Sequence, residues 1–165
     1  MSYPCPVPEL VRPTPVVRDS YLAGERATWQ ELGALPSWLG EAESDFRSFA
    51  ASRAVTRELW GVPTTELWFV DGPAYLGTVM IRHQLTPQLR REGGHIGYHV
   101  VPAERRRGHA TAMLAAACAR CRDDGMAEVL VTCQTDNIAS RRVIETNGGK
   151  LDTESNGIRR YLIRL

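Results

Sequence analysis

Apolar and polar residues alternate most clearly in the middle of the chain. Leu67 to Val70 and Ala74 to Ile81 are two β-rich runs around Asp71-Gly72-Pro73, which predicts a hairpin. The apolar run Ile96 to Val101 predicts a fourth strand over 94–101, and residues 84–93 read as a polar loop. Nearer the start, Leu10 to Pro13 predicts a short first strand. Thr14 to Gln30 predicts a helix with Val16, Val17, Tyr21 and Leu22 on one side. After the break at Leu35-Pro36, Ser37 is placed to cap a second helical stretch through Phe46, Phe49 and Ala50. Gly61-Val62-Pro63 marks another break. Gly108 to Arg122 predicts a helix ended by Asp123-Asp124-Gly125. Residues 128–133 predict a buried strand of the parallel type, Asn137 to Asn147 a helix ending at Gly148-Gly149, and Ile158 to Arg164 a closing strand. This order is α/β with a mixed sheet, and no repeat, low-complexity tract or linker divides the 165 residues, so residues 1–165 read as a single domain.

The stretch Arg105-Arg106-Arg107-Gly108-His109-Ala110-Thr111 adds chemistry to this pattern. It joins a strand to a helix. The first N–H groups of a helix lack intrahelical partners, and the helix dipole places partial positive charge there. Gly108 lets the backbone approach a ligand without a Cβ in the way, and Ala110 does nearly the same. The expected ligand is a phosphate or pyrophosphate. Neither a Walker loop nor Gly-x-Gly-x-x-Gly is present, and the only lysine is Lys150.

Composition narrows the classes. Hydrophobic content of 43% and charged content of 24% are ordinary for a globular protein. A net charge of +1 gives no general pull toward nucleic acid or an anionic membrane, so neither is expected as a partner. The charge is uneven. Through residue 75 there are six arginines against ten acids, a balance of −4, and the remainder carries +5. That suits two ligands of opposite sign, and equally a chance segregation of solvated charges. No secretion signal is visible, and the longest apolar run, Ala112 to Cys118, is too short for a bilayer, so a cytoplasmic location is expected. The four cysteines then read as free thiols. Cys118-x-x-Cys121 falls on one face of an Ala-rich helix with no second pair at zinc spacing, so buried thiols rather than a metal are expected.

The segment Gly94-His95-Ile96-Gly97-Tyr98-His99-Val100-Val101-Pro102, the turn Arg105-x-x-Gly108-x-Ala110-Thr111, the strand Val129-Leu130-Val131-Thr132 and the run Asn137-Ile138-Ala139-Ser140 together resemble the acyl-CoA-binding core of the GNAT superfamily of N-acetyltransferases. Glu145-Thr146-Asn147-Gly148-Gly149 is similar to the end of that core, with Gly149 where an aromatic is usual. The close match spans about residues 94–149. The resemblance implies a mixed, mostly antiparallel sheet of six to seven strands flanked by about four helices, with the fourth and fifth strands splayed around acetyl-CoA. It implies that the backbone of His99, Val100 and Val101 bonds the pantetheine arm. The amides of Arg106, Arg107, Gly108, His109, Ala110 and Thr111 would hold the pyrophosphate. Asn137 and Ser140 match positions that contact the cofactor, although Asp136 or Asn137 also reads as a cap of the following helix. The co-substrate is acetyl-CoA, with no metal. Relatives are often dimers, and a homodimer is therefore allowed.

Acyl transfer to an amine needs a group to take the amine proton, a donor to the thioester oxygen and a proton for the thiolate. The N–H near Val100 suits the second task. Many relatives place a tyrosine seven residues after the Asn, where this chain has Ile144. Tyr98 is the expected substitute, and it also reads as a core aromatic. His95 is the first candidate base, with His99 and His83 behind it and a water chain as another route. The acceptor is expected between the first helices and the closing strands, near Trp29, Trp38, Glu41, Glu43, Asp45 and Trp60, where acids and aromatics suit a cationic amine. Three functions stay open: acetylation of a small-molecule amine (an amino acid, amine or antibiotic-like acceptor), acetylation of a protein N-terminus or lysine, and a non-catalytic acyl-CoA sensor.

Overall fold

The computed structural model describes residues 7–165. Cys5 lies outside them. Strand β1 (Glu9–Val11) leads to Thr14, whose hydroxyl accepts from the Val16 N–H, and Pro15 then opens a 3-10 turn (Pro15–Val17) into helix α1 (Arg18–Glu31). The expected second helix is two: α2 (Ser37–Ser44) and α3 (Phe46–Arg53). Ser37 is the first residue of α2 and makes no cap. The cap is Asp45, which breaks the helix with φ −145° and accepts from the Ser48 N–H at the start of α3.

Strand β2 (Arg57–Leu59), too short to show a pattern, folds onto β3 (Val62–Asp71), and β3 pairs with β4 (Ala74–Arg82) as the expected hairpin. The polar loop contains one short helix, α4 (Pro87–Arg91), capped by Thr86. The expected fourth strand is β5 (Ile96–Val100). It is followed by a 3-10 turn (Pro102–Glu104), α5 (His109–Asp123), β6 (Glu128–Gln134) and α6 (Ile138–Thr146). Strands β7 (Lys150–Ser155) and β8 (Ile158–Arg164) end the chain. Among the described residues, eight strands and six α-helices therefore stand where fewer of each were expected, and the α/β class holds.

The strands form two antiparallel sheets, β1-β3-β4-β5 with β2 beside β3, and β6-β8-β7. One core lies under α5 and α6, where Val79, Ile96, Leu114, Ala117 and Ile144 are buried together. A second, aromatic core lies under α1–α3, where Tyr21, Phe46, Phe49, Trp68 and Tyr75 meet. The layers are helix, sheet, helix. Between β5 and β6 no ladder forms. The His95 N–H donates to the Leu130 carbonyl at 2.7 Å, and the strands then part. Gly94, with φ +63°, makes this junction possible, because a Cβ there would strike the Leu130 carbonyl.

Candidate active site

The gap between β5 and β6 opens into a cleft of about 450 Å³. Tyr98, His99 and Val100 come from β5, the residues from Glu104 to Thr111 from the turn and α5, and Asn137, Ser140 and Val143 from the approach to α6. The turn is built as its sequence suggests. Gly108 (φ +80°) and Arg106 (φ +61°) are both left-handed, and Gly108 stands at the N-cap of α5 with no side chain capping that helix. From Arg106 to Thr111, no backbone N–H donates to any group among the described residues. A Cβ on Gly108 would meet nothing within 4 Å, so the space around this turn is open. A pyrophosphate fits this arrangement, with fixed N–H dipoles at the positive end of a 15-residue helix.

The register of β5 corrects the backbone assignment. The Val101 N–H donates to Leu76 and the Arg82 N–H to His95. In an antiparallel pair, bonded and unbonded positions alternate, so Gly97 and His99 also face β4. His99 and Val101 are thereby spent inside the sheet. Tyr98 and Val100 are the residues whose backbone groups face the gap, where the Val100 carbonyl accepts a long bond from Arg105 Nε at 3.3 Å.

The side chains alternate in the same way. Tyr98 points toward α6, and its hydroxyl lies 2.8 Å from Ser140 Oγ. Burial pushes the Tyr98 phenol up to about 12, so it keeps its proton at neutral pH. Asn137 lines the cleft and also caps α6, its Oδ1 accepting from the Ser140 N–H at 3.0 Å. Ile144, at the position where relatives carry tyrosine, is fully buried and cannot reach a ligand. A side chain at Gly149 would run into it.

His99 points to the other face of the sheet, toward α1. Its Nε2 lies 2.7 Å from Oε1 of Glu25, a carboxylate only 2% exposed. Tyr75 donates to the same oxygen at 2.6 Å, and Trp29 Nε1 donates to the other at 3.2 Å. Burial raises the Glu25 carboxyl, but the hydrogen bond and charge of His99, with the bonds from Tyr75 and Trp29, outweigh it and hold the group below the usual range. Helix α1 approaches this closely because Gly24 has no side chain: a Cβ there would lie 2.7 Å from Val101 Cγ1. The sequence reading passed over Glu25. Its signal was position, since Tyr21, Glu25 and Thr28 occupy the buried stripe of α1 at helical spacing, and a carboxylate on a core stripe needs a partner.

The other histidines lie elsewhere. His95 Nδ1 accepts from the Leu130 N–H at 2.8 Å, and burial together with Arg90, Arg82 and His83 lowers the ring to about 4. A nitrogen so engaged is not free to take a proton, and His95 does not line the cleft, which corrects its standing as first candidate base. His83 Nε2 is held 2.7 Å from Thr65 Oγ1. The supposed acceptor acids serve the fold. Glu43 pairs with Arg26, Asp45 caps α3, and Glu41 is exposed on α2. Trp29 and Trp38 pack edge to face in the aromatic core. Burial raises Cys118 to about 11 and Cys121 to about 12, as inert thiols require. Among the described residues, no cluster of three or more metal-ligating side chains occurs, and no helix is long and apolar enough to cross a membrane.

Comparison with known proteins places the chain in a family. Residues 12–150 match the family model of the acetyltransferase (GNAT) domain. No curated protein matches. Among solved structures, Mycobacterium smegmatis RimJ in complex with CoA-disulfide is similar at TM-score 0.69 and 20% identity, over 98% of this chain and 83% of that one. RimL, a ribosomal L7/L12 alpha-N-protein acetyltransferase in complex with coenzyme A, gives 0.67 and 16%, over 96% and 94%. The Microcin C7 self-immunity acetyltransferase MccE, in complex with acetyl-CoA and AMP, gives 0.66 and 15%, over 99% and 98%. Identities this low establish likeness of fold, and the family match over most of the chain establishes more: the chain belongs to the GNAT family of acetyl-CoA-dependent N-acetyltransferases.

Proposed function

We propose that this enzyme acetylates the primary amine of a small molecule, with His99 and Glu25 handling the amine proton and Tyr98 supplying the proton to the departing thiolate. One observation carries the reading. Tyr98, Asn137 and Ser140 line the 450 Å³ cleft and also a second pocket of about 290 Å³, bounded by Arg82, Gly97, Thr132 and Gln134. Two chambers thus meet at Tyr98, one walled by the anion-binding turn and the other small.

When bound, acetyl-CoA supplies the activated acetyl thioester. The turn from Arg106 to Thr111 holds its pyrophosphate, and the Val100 N–H is the backbone donor left free beside Tyr98 for the thioester oxygen. Ionised Glu25 takes the Nε2–H of His99, which leaves the lone pair on Nδ1 to accept a proton from the amine. Glu25 is a positioning residue. Burial keeps the Tyr98 phenol protonated at neutral pH, so its proton is in place when the thiolate departs.

The test is thiol release from acetyl-CoA with amines, amino acids, aminoglycosides and short peptides, repeated for His99→Gln and Tyr98→Phe. Turnover with a small amine is expected, with kcat lowered roughly 10²- to 10⁴-fold in each variant and acetyl-CoA binding retained. Turnover confined to peptides would move the acceptor to a protein. A melting-temperature rise with acetyl-CoA but no thiol release would favour a sensor.

A further inference from the structure

The second pocket contains a cation without a counter-charge. Arg82 ends β4, and its guanidinium stacks on the Trp60 ring at 4.5 Å. Its Nη1 donates to the carbonyls of Gly93 and Gly94 at 3.0 and 3.1 Å. Its Nη2 makes no hydrogen bond among the described residues, and its Nε is buried without a partner. Among the described residues no carboxylate lies within ion-pair distance of it, although Glu92 lines the same pocket. Burial lowers the pKa of this guanidinium from its ordinary value.

Position gives this charge a purpose. Arg82 shares a sheet face with Gly97 and His99. A Cβ on Gly97 would lie only 3.5 Å from Nη1 and Nη2, so the missing side chain leaves the space in front of the guanidinium open. His99 is two residues further along β5, roughly 7 Å at the rise of a strand. Arg82 also bridges to a third pocket of about 390 Å³, where Trp60, exposed at the tip of the β2–β3 turn, forms the wall.

We propose that Arg82 determines acceptor specificity by binding a carboxylate carried a few bonds from the amine, so that the acceptor is an amino acid or a similar amino-carboxylate. This rests on the acceptor chamber proposed above. A planar guanidinium with free donors matches a carboxylate, and Trp60 fixes its plane. An amine near His99 and a carboxylate on Arg82 would lie on either side of Gly97.

The experiment compares free amino acids with their carboxamides in thiol release, for the native enzyme, Arg82→Lys and Arg82→Gln. C-terminally amidated peptides with Asp or Asn second form another arm, to tell a free amino acid from an acidic N-terminus. The expected result is a carboxylate-to-carboxamide ratio in kcat/KM of roughly ten- to a hundredfold for the native enzyme, lost in Arg82→Gln and partly kept in Arg82→Lys. A loosened loop would lower both substrates together, and that result overturns the proposal. Equal use of carboxylate and carboxamide by the native enzyme also overturns it. The two readings separate in a melting assay with N-acetyl amino acids and their amides. Arg82-dependent stabilisation by the acids without turnover would support the carboxylate site and refute the acceptor reading alone.

Discussion

Gly24 sits where two opposing effects have known sizes, so Gly24→Ala is the sharpest probe of how α1 is docked. In an exposed helix interior, replacing Gly by Ala gains about 0.8–1 kcal/mol, because less backbone freedom is lost on folding. At Gly24, however, the new Cβ would lie 2.7 Å from Val101 Cγ1 and 3.2 Å from its Cβ. Val101 is β-branched and only 3% exposed, so it has no free end to swing away. Overpacking of this kind costs about 1–3 kcal/mol, so the net effect is a loss of about 1 kcal/mol. Gly40, in the middle of α2, supplies the control, since a Cβ there meets nothing within 4 Å. In calorimetry, Gly40→Ala should raise the melting temperature by about 2–4 °C and Gly24→Ala should lower it by a similar amount. Because α1 carries Glu25, Gly24→Ala should also lower kcat, whereas Gly40→Ala should not. If Gly24→Ala stabilises like Gly40→Ala and leaves kcat unchanged, the contact with Val101 does not set the position of α1.

Two further predictions concern the turn and the strand junction. Gly108→Ala meets no steric wall but must keep φ +80°, which costs about 1–2 kcal/mol locally and places a methyl before the free N–H groups, so the Kd for acetyl-CoA should rise at least roughly tenfold with little change in KM for the amine; an unchanged Kd by calorimetric titration would refute the pyrophosphate assignment. His95 is held near 4 against an ordinary 6.5, so the unfolded chain binds the extra proton: full stability is present above about pH 6.5 and is lost as pH falls toward 4, by about 1–2 kcal/mol after screening of a half-exposed ring. His95→Asn keeps an acceptor for Leu130 and should show a shallower acid loss in melts across that range; identical acid profiles would refute the assignment.

The parts legible in the sequence were those with a local cause. The β3–β4 hairpin announces itself by β-rich runs around Asp71-Gly72, and the Gly108 turn by a strand, a glycine and a helix in succession. Strand β7 has every side chain exposed, so no apolar alternation marks it. The break at Asp45 was hidden because the apolar spacing continues from Leu39 through Phe49 across it. The pairing of Glu25 with His99 was illegible for a different reason. Glu25 and His99 are 74 positions apart, and only the docking of α1 over β5 brings them together. Strand alternation puts residues 95 and 99 on one face of the chain there but gives no sign that Leu130 claims one and Glu25 the other.

The molecule guards its sheet margins unequally. At the outer margin, β7 carries Lys150, Asp152 and Glu154 on an exposed strand, and such charges discourage another chain from adding itself there. At the inner margin, the backbone groups of Tyr98 and Val100 face the gap without a partner strand, and the Val100 carbonyl takes only the long bond from Arg105 Nε. The clasp at His95 and Leu130 closes one end of this margin. An acyl-CoA arm that fills this margin removes a template for strand addition. The donor-saturated enzyme should therefore resist aggregation better than the free enzyme during refolding and storage, apart from any gain in melting temperature.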